Sequence, residues 1–423
     1  MDVDTEIQVH NEQASTSCAS GQASASTSSE MKIPQAPVQF EVRQTDTSKG
    51  RCLVAVTAIP AKTVIFEEEP FVFSQFAWNK HCGYSACDHC LRPLEIVEAN
   101  ISRLTRNNNF MLPYPESCQT KKNQHEPCPD CLITYCSESC LKTAYQEYHK
   151  TLCPGYGDTK HDPMSVLENA WRKIHYPPET TTIFLLVRLL ARIIQAPDKQ
   201  EMVQKILNFS HKSVNEHEKL SHKFLGDQFK DQLIELRSMV SRVIYPDQSP
   251  EVHQFLTSEG FQSLIALIGT NAQGVATSAF SAWRRNVETL RLRKKDQEEV
   301  DELVEEIYED MERCTGGEFL DNEGVGLYVK QSSVNHSCDP NAIVKFWNNN
   351  FRLSLVSKKN IEPGEEICIS YLDECELHRS RHSRQKYLKE NYLFTCLCPK
   401  CISEGDDPDV TSEEEASEDE NDE

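Results

Sequence analysis

Asn335-His336-Ser337-Cys338-Asp339-Pro340-Asn341 is a long and unusual run in this chain. Alone, an Asn-His pair is ordinary turn sequence. About thirty residues later comes Gly364-Glu365-Glu366-Ile367-Cys368-Ile369-Ser370-Tyr371, and then the compact Cys396-Leu397-Cys398-Pro399-Lys400-Cys401. The sequence around them is strand-like. Gly324–Val329 is one such run, and Ala342–Trp347 and Phe351–Val356 flank Asn348-Asn349-Asn350 as a hairpin would. Pro363-Gly364 marks a turn, and a basic helix from His378 to Lys389 leads into the last cysteines.

Farther out, Arg51–Ile59 and Thr63–Phe66 are rich in β-branched residues and predict two short strands joined by a turn at Pro60. Residues 163–313 predict mostly helix: apolar Ile183–Ile194, Phe255–Ile268 at helical spacing, and basic Arg284–Lys295 followed by acids to Glu312, a solvated helix face. Ile183–Ile194 contains Arg188 and Arg192 and is too short for a bilayer, so it predicts a buried helix. Residues 1–35 are dominated by Ser, Thr, Ala, Gln and Glu and predict disorder; they lack the apolar core of a secretory signal.

The chain has 423 residues, enough for about two or three domains and a sizeable core. Half of the formal net charge of −22 lies in residues 406–423, which carry eleven acids and no base. An overall acidic chain disfavours nucleic-acid binding through a basic surface. The tail predicts either a solubilising segment or an attraction to a basic partner.

Eighteen cysteines, many in C-x-x-C pairs on a long chain without a visible secretory signal, favour metal ligation over disulfides or free thiols. Cys87-x2-Cys90, Cys128-x2-Cys131, Cys136-x3-Cys140 and His149-x3-Cys153 supply eight ligands in four pairs. That predicts two closed, structural zinc sites.

The order of these pairs resembles a MYND zinc finger. The resemblance implies cross-bracing: Cys87, Cys90, Cys136 and Cys140 on one ion, and Cys128, Cys131, His149 and Cys153 on the other. Two departures stand out. Cys90 and Cys128 are separated by 37 residues, which implies an inserted loop, and eight residues rather than seven separate Cys140 from His149. Cys82 and Cys118 are alternative ligands. MYND fingers bind peptides, often proline-rich, and such a role is left open here.

The Asn335–Asn341, Gly364–Tyr371 and Cys396–Cys401 motifs, with Ser48-Lys49-Gly50-Arg51-Cys52-Leu53, resemble a SET-domain protein-lysine methyltransferase. A SET domain split by a MYND finger is similar to the SET and MYND domain-containing (SMYD) family, and most like its fifth, divergent member. The match covers roughly residues 38–405. It implies an α+β protein: a SET-domain β-fold with a threaded C-terminal segment, an inserted MYND finger and a helical insert. The expected plan is a disordered N-terminus at 1–35, the first part of the split SET domain at 36–80 and the finger with its enlarged loop at 81–155. The helical insert follows at 156–320, the rest of the SET domain at 321–373, a helix and Cys cluster at 374–405, and a disordered acidic tail at 406–423.

Methyl transfer from a sulfonium to an amine is an in-line displacement, so alignment and charge stabilisation carry it. The attacking lysine must be neutral, which a desolvated aromatic channel favours. The resemblance places Tyr371 at the methyl-transfer point, with Tyr392 and Phe394 walling the lysine channel and cofactor pocket; aromatic faces suit a cationic sulfonium. It assigns Asn335, His336 and Ser332 to S-adenosylmethionine, and Lys49, Gly50 and Arg51 to the cofactor's amino-acid end. A further asparagine on the helix before Gly324 is expected and has no assigned residue. Cys338 with Cys396, Cys398 and Cys401 reads as a third tetrahedral zinc.

The expected activity is methylation of a lysine on a basic protein, a histone or a ribosomal protein. The enzyme is expected to be a monomer with no membrane or nucleic-acid partner, cytoplasmic with the nucleus open as a second site. The rivals are a non-enzymatic finger adaptor on a SET scaffold and a zinc-dependent DNA-binding regulator.

Overall fold

The computed structural model describes residues 39–44, 50–107, 111–155, 162–174, 182–209, 229–245, 249–392 and 394–405. The N-terminal 1–35 segment, Lys49 and the 406–423 tail lie outside the described residues. The strands in chain order are β1 (Phe40–Gln44), β2 (Arg51–Ala55), β3 (Val64–Glu68), β4 (Val72–Gln75), β5 (Glu126–Pro127), β6 (Thr134–Tyr135), β7 (Ala272–Thr277), β8 (Asn322–Leu327), β9 (Asn335–His336), β10 (Ala342–Lys345), β11 (Leu353–Ser357) and β12 (Glu366–Ile369). They form small sheets in the orders β1-β2-β12-β9, β10-β11-β3 and β4-β8-β7, plus the β5-β6 pair of the finger.

Both strands expected before and after Pro60 form, but they do not pair with each other. β2 is buried from Cys52 through Ala55 and takes β1 and β12 as neighbours, while β3 pairs with β11. A strand covered on both faces belongs inside a sheet, and local sequence does not reveal which partner it takes. The β10–β11 hairpin forms in the expected place, with Ala342 opposite Ser357. Its turn holds Asn349 at a left-handed φ of 48°, and the side-chain oxygen of Asn349 accepts the Ser278 N–H at 3.1 Å.

The helical stretch contains an unexpected strand. Ala272-Gln-Gly-Val-Ala-Thr is β7, paired with β8 over its whole length. Ala, Gln and Gly carry little strand signal, so the pairing partner decides. The Ile183–Gln195 helix is buried on nearly every side, as expected. In Lys294–Thr315, Val300, Val304, Ile307 and Met311 make the buried stripe, while Lys294–Glu298 and Lys295–Glu299 pair on the exposed face. Among the described residues no helix is long and apolar enough to cross a membrane.

The expected basic helix is two elements, Glu374–His378 and Arg381–Tyr392. Ser380 divides them, its hydroxyl accepting the Ser383 N–H at 3.2 Å as an N-cap does.

The enlarged finger loop also proves structured. Val97–Thr105 is a helix whose Ile101 and Leu104 join Phe280, Trp283, Val304 and Ile307 in a second core. Cys82 and Cys118 pack against that core and join no ligand set among the described residues. The finger is thereby fastened to the helical insert.

Candidate active site and metal centres

β9 and β12 run parallel, with Asn335 opposite Cys368 and His336 opposite Ile369. This pairing brings Tyr371, just past the end of β12, against the Asn335-His336 pair. The Tyr371 N–H donates to His336 Nδ1 at 2.9 Å, and the Ser337 N–H donates to the Ile369 carbonyl at 2.9 Å. With Nδ1 accepting, Nε2 carries the proton and reaches Cys338 Sγ at 3.3 Å. Burial keeps the ring neutral by pushing His336 down to about 4. Both nitrogens of His336 are thus engaged within the protein, so any cofactor contact it makes is through its backbone.

Three aromatic rings gather at this point. The Tyr371 centroid lies 4.9 Å from Tyr392 and 6.4 Å edge-on from Phe394, and His336 is 6.0 Å from Phe394. The Tyr371 hydroxyl donates to the Val334 carbonyl at 2.8 Å, leaving its oxygen lone pairs as the group it can offer a reactant. Burial pushes the Tyr371 and Tyr392 hydroxyls well above the usual phenol range, so Tyr371 stays protonated at neutral pH and is no general base.

The side chain of Asn335 donates to the Arg51 carbonyl at 2.9 Å and to Glu366 Oε1 at 2.8 Å. Both amide protons are used, so its Oδ1 remains to accept from a ligand. Gly50 has a φ of 71°, and among the described residues, its chain neighbours aside, a Cβ there would meet no atom within 4 Å. The left-handed backbone there favours glycine. Arg51 follows at the start of β2, half-buried. Ser332 lies in the Gln331–Ser333 turn, its hydroxyl donating to the Val329 carbonyl at 2.9 Å.

Three sets of four ligands converge, each with its ligand atoms within 4.8 Å of one another: Cys87, Cys90, Cys136, Cys140; Cys128, Cys131, His149, Cys153; and Cys338, Cys396, Cys398, Cys401. A tetrahedral zinc with bonds of about 2.3 Å separates its sulfurs by about 3.8 Å. The observed pairs fit: Cys90–Cys136 at 3.5 Å, Cys136–Cys140 at 3.6 Å, Cys128–Cys153 at 3.9 Å and Cys338–Cys401 at 3.5 Å. His149 presents Nε2 to Cys131 at 3.4 Å. Tyr145–His149 forms a π-helical turn, so the extra residue before His149 is absorbed and the ligand keeps its place.

A SET domain model matches residues 50–372. The chain is 48% identical over 381 residues to human "Protein-lysine N-trimethyltransferase SMYD5", covering 90% of each chain. The chain belongs to the SET and MYND domain-containing family. The zebrafish (Danio rerio) protein of the same name is 44% identical over 377 residues, 89% of this chain and 90% of its own. Mouse "Histone-lysine N-methyltransferase SMYD3" is 40% identical over 92 residues, 22% of this chain and 20% of its own. The α+β SET architecture, the use of S-adenosylmethionine and three zinc-compatible centres follow from the same findings.

Several residues of this SMYD chain support the site without announcing themselves in sequence. Glu366 orients Asn335, and Asn341 ties the loop after β9 to β12 through the Glu366 carbonyl at 2.9 Å and the Cys368 N–H at 2.8 Å. Arg384 is buried beside the third metal centre, donating to the Arg379 carbonyl at 2.6 Å and pairing with Glu404. Asn271 is buried at the end of the Ser258–Asn271 helix, directly before β7, its side chain donating to the Leu267 carbonyl at 2.8 Å.

Proposed function

We propose that this SET-domain protein-lysine methyltransferase carries a lysine of a basic protein through to the trimethylated state, with Tyr371 orienting the amine. The observation that carries the reading is the parallel β9–β12 pairing. It sets the Tyr371 hydroxyl, already donating to Val334, among three aromatic rings. Bound S-adenosylmethionine supplies an electrophilic methyl on a sulfonium. Asn335 Oδ1 and the backbone of His336 would hold the cofactor, with Ser332 and Asn271 flanking, and Lys49, Gly50 and Arg51 would receive its amino-acid end.

The lysine reaches the methyl through the channel walled by Tyr392 and Phe394. Desolvation there lowers the cost of losing the ammonium proton. The Tyr371 lone pairs would accept from the N–H of the lysine amine and so orient it. Because its hydroxyl stays protonated, the rate should keep rising with pH through about 9 as the substrate amine deprotonates. The ring faces accept successive methylammonium products by cation–π attraction.

The acidic composition supports a Lys-rich partner such as a histone tail or ribosomal protein; the same proposal has the chain act as a monomer, in the cytoplasm or nucleus. The test is mass spectrometry of basic proteins incubated with enzyme and S-adenosylmethionine. Trimethyl-lysine at a discrete site supports the reading. Cofactor binding without any methylated protein would leave a SET scaffold for the finger instead.

A further inference from the structure

The three metal centres differ in what surrounds their sulfurs. All four cysteines of the Cys338 set are buried, whereas in the Cys87 set Cys87 and Cys90 are buried and Cys136 and Cys140 are half-buried; Arg384 reaches Cys401 Sγ at 3.8 Å, and His336 Nε2 reaches Cys338 Sγ at 3.3 Å. The Cys128 set substitutes a neutral imidazole for one thiolate, so with zinc it is singly anionic. The Cys87 set has four thiolates, doubly anionic with zinc, and no side-chain cation hydrogen-bonds to its sulfurs among the described residues.

Cys90, Cys136 and Cys140 also line a cavity of about 460 Å³. Its other walls come from the finger insert, through Gln119 and Lys121, and from the hairpin residue Phe351. Arg92 and Lys121 line the same space but donate to none of the sulfurs.

From this asymmetry we propose that the Cys87–Cys90–Cys136–Cys140 centre is an oxidative modification site, reached by small hydroperoxides through that cavity. Thiolate character and access govern such chemistry. One thiolate of the Cys90–Cys136 pair, 3.5 Å apart, attacks a peroxide oxygen. An S–O bond forms as the O–O bond breaks, and hydroxide (or alkoxide) leaves. The second thiolate displaces hydroxide from that sulfenic sulfur and closes the disulfide. The two sulfurs give up two electrons, and two solvent protons complete the two hydroxyl products. Loss of two ligand sulfurs opens the centre and frees its metal.

The consequence is local to the finger. The Phe351 N–H donates to the Cys90 carbonyl at 2.9 Å, and Asp88 is held by Arg188 at 3.0 Å, so this centre fastens the finger to the hairpin and to the buried helix. The Cys338 centre, with Tyr371 and His336 behind it, is shielded.

The test starts from zinc-loaded full-length protein, treated with graded hydrogen peroxide. Zinc release is followed with a chromogenic chelator, and differential alkylation with mass spectrometry assigns each cysteine. Cys90, Cys136 and Cys140 should be oxidised about ten-fold faster than Cys338, Cys396, Cys398 and Cys401. Arg384→Gln should narrow that gap by speeding the Cys338 set. If the wild-type cysteines of the two sets oxidise at equal rates, or the Cys338 set goes first, the proposal is overturned, whatever the variant does.

Discussion

The first finger centre and the Cys338 centre have the same four-cysteine chemistry and opposite surroundings. The finger centre grips one module and fastens it to a hairpin through the Cys90 carbonyl. The Cys338 centre is one hydrogen bond from His336, and His336 is one hydrogen bond from the Tyr371 backbone. On the proposed function, identical ligation serves docking in one place and alignment of reacting groups in the other. The second contact layer, not the ligands, sets the role.

The strongest test of that contrast is at its catalytic end. With Tyr371 orienting the amine as proposed, Tyr371→Phe should cut kcat by about 100-fold or more. Steady-state methylation of the identified substrate would show it, and equal turnover by the variant would remove Tyr371 from the reaction.

Next come the metals. Cys398→Ser should lose one zinc and weaken S-adenosylmethionine about 10-fold or more, since Phe394 and Tyr392 lie on the segment that this centre anchors. Cys136→Ser should also lose one zinc but weaken the cofactor by less than about 3-fold. Elemental analysis with cofactor titration separates the pair. Equal losses of affinity would erase the distinction between docking and alignment.

The smallest effect belongs to the tail. Deleting residues 406–423 should raise KM by about two- to five-fold at low salt and leave kcat unchanged, because a remote charge steers encounter only. The difference should fade near physiological ionic strength, where the Debye length is about 8 Å. An unchanged KM at every salt concentration would leave the tail as solvated charge.

Much of this was legible in the sequence because metal spacing and strand motifs are local signals. Cys396-x-Cys398-x2-Cys401 states its chemistry within six residues, and Asn348-Asn349-Asn350 marks its hairpin. What escaped depends on distant partners. β7 is a strand because β8 is beside it, and β2 and β3 separate because each has another neighbour waiting. The pairing of Glu366 with Asn335 spans 31 residues, and that of Asp88 with Arg188 spans 100, so neither shows in local pattern. The π-helical turn that absorbs the extra residue before His149 likewise shows no local signal in the sequence.

The finger is also less independent than its motif suggests. The Val97–Thr105 helix shares a core with Trp283 and Ile307, and Arg188 lies over the Tyr148 ring at 4.2 Å while it holds Asp88. A finger so fastened moves with the SET domain, which favours a part of the enzyme over a free adaptor.

The most direct measurement of the central claim is calorimetric titration of S-adenosylmethionine into the zinc-loaded full chain and into Tyr371→Phe. The account predicts one cofactor per chain in both proteins, with affinities within about 3-fold of each other, because the phenol oxygen acts on the amine rather than in cofactor binding. No binding to the zinc-loaded wild-type chain would contradict it.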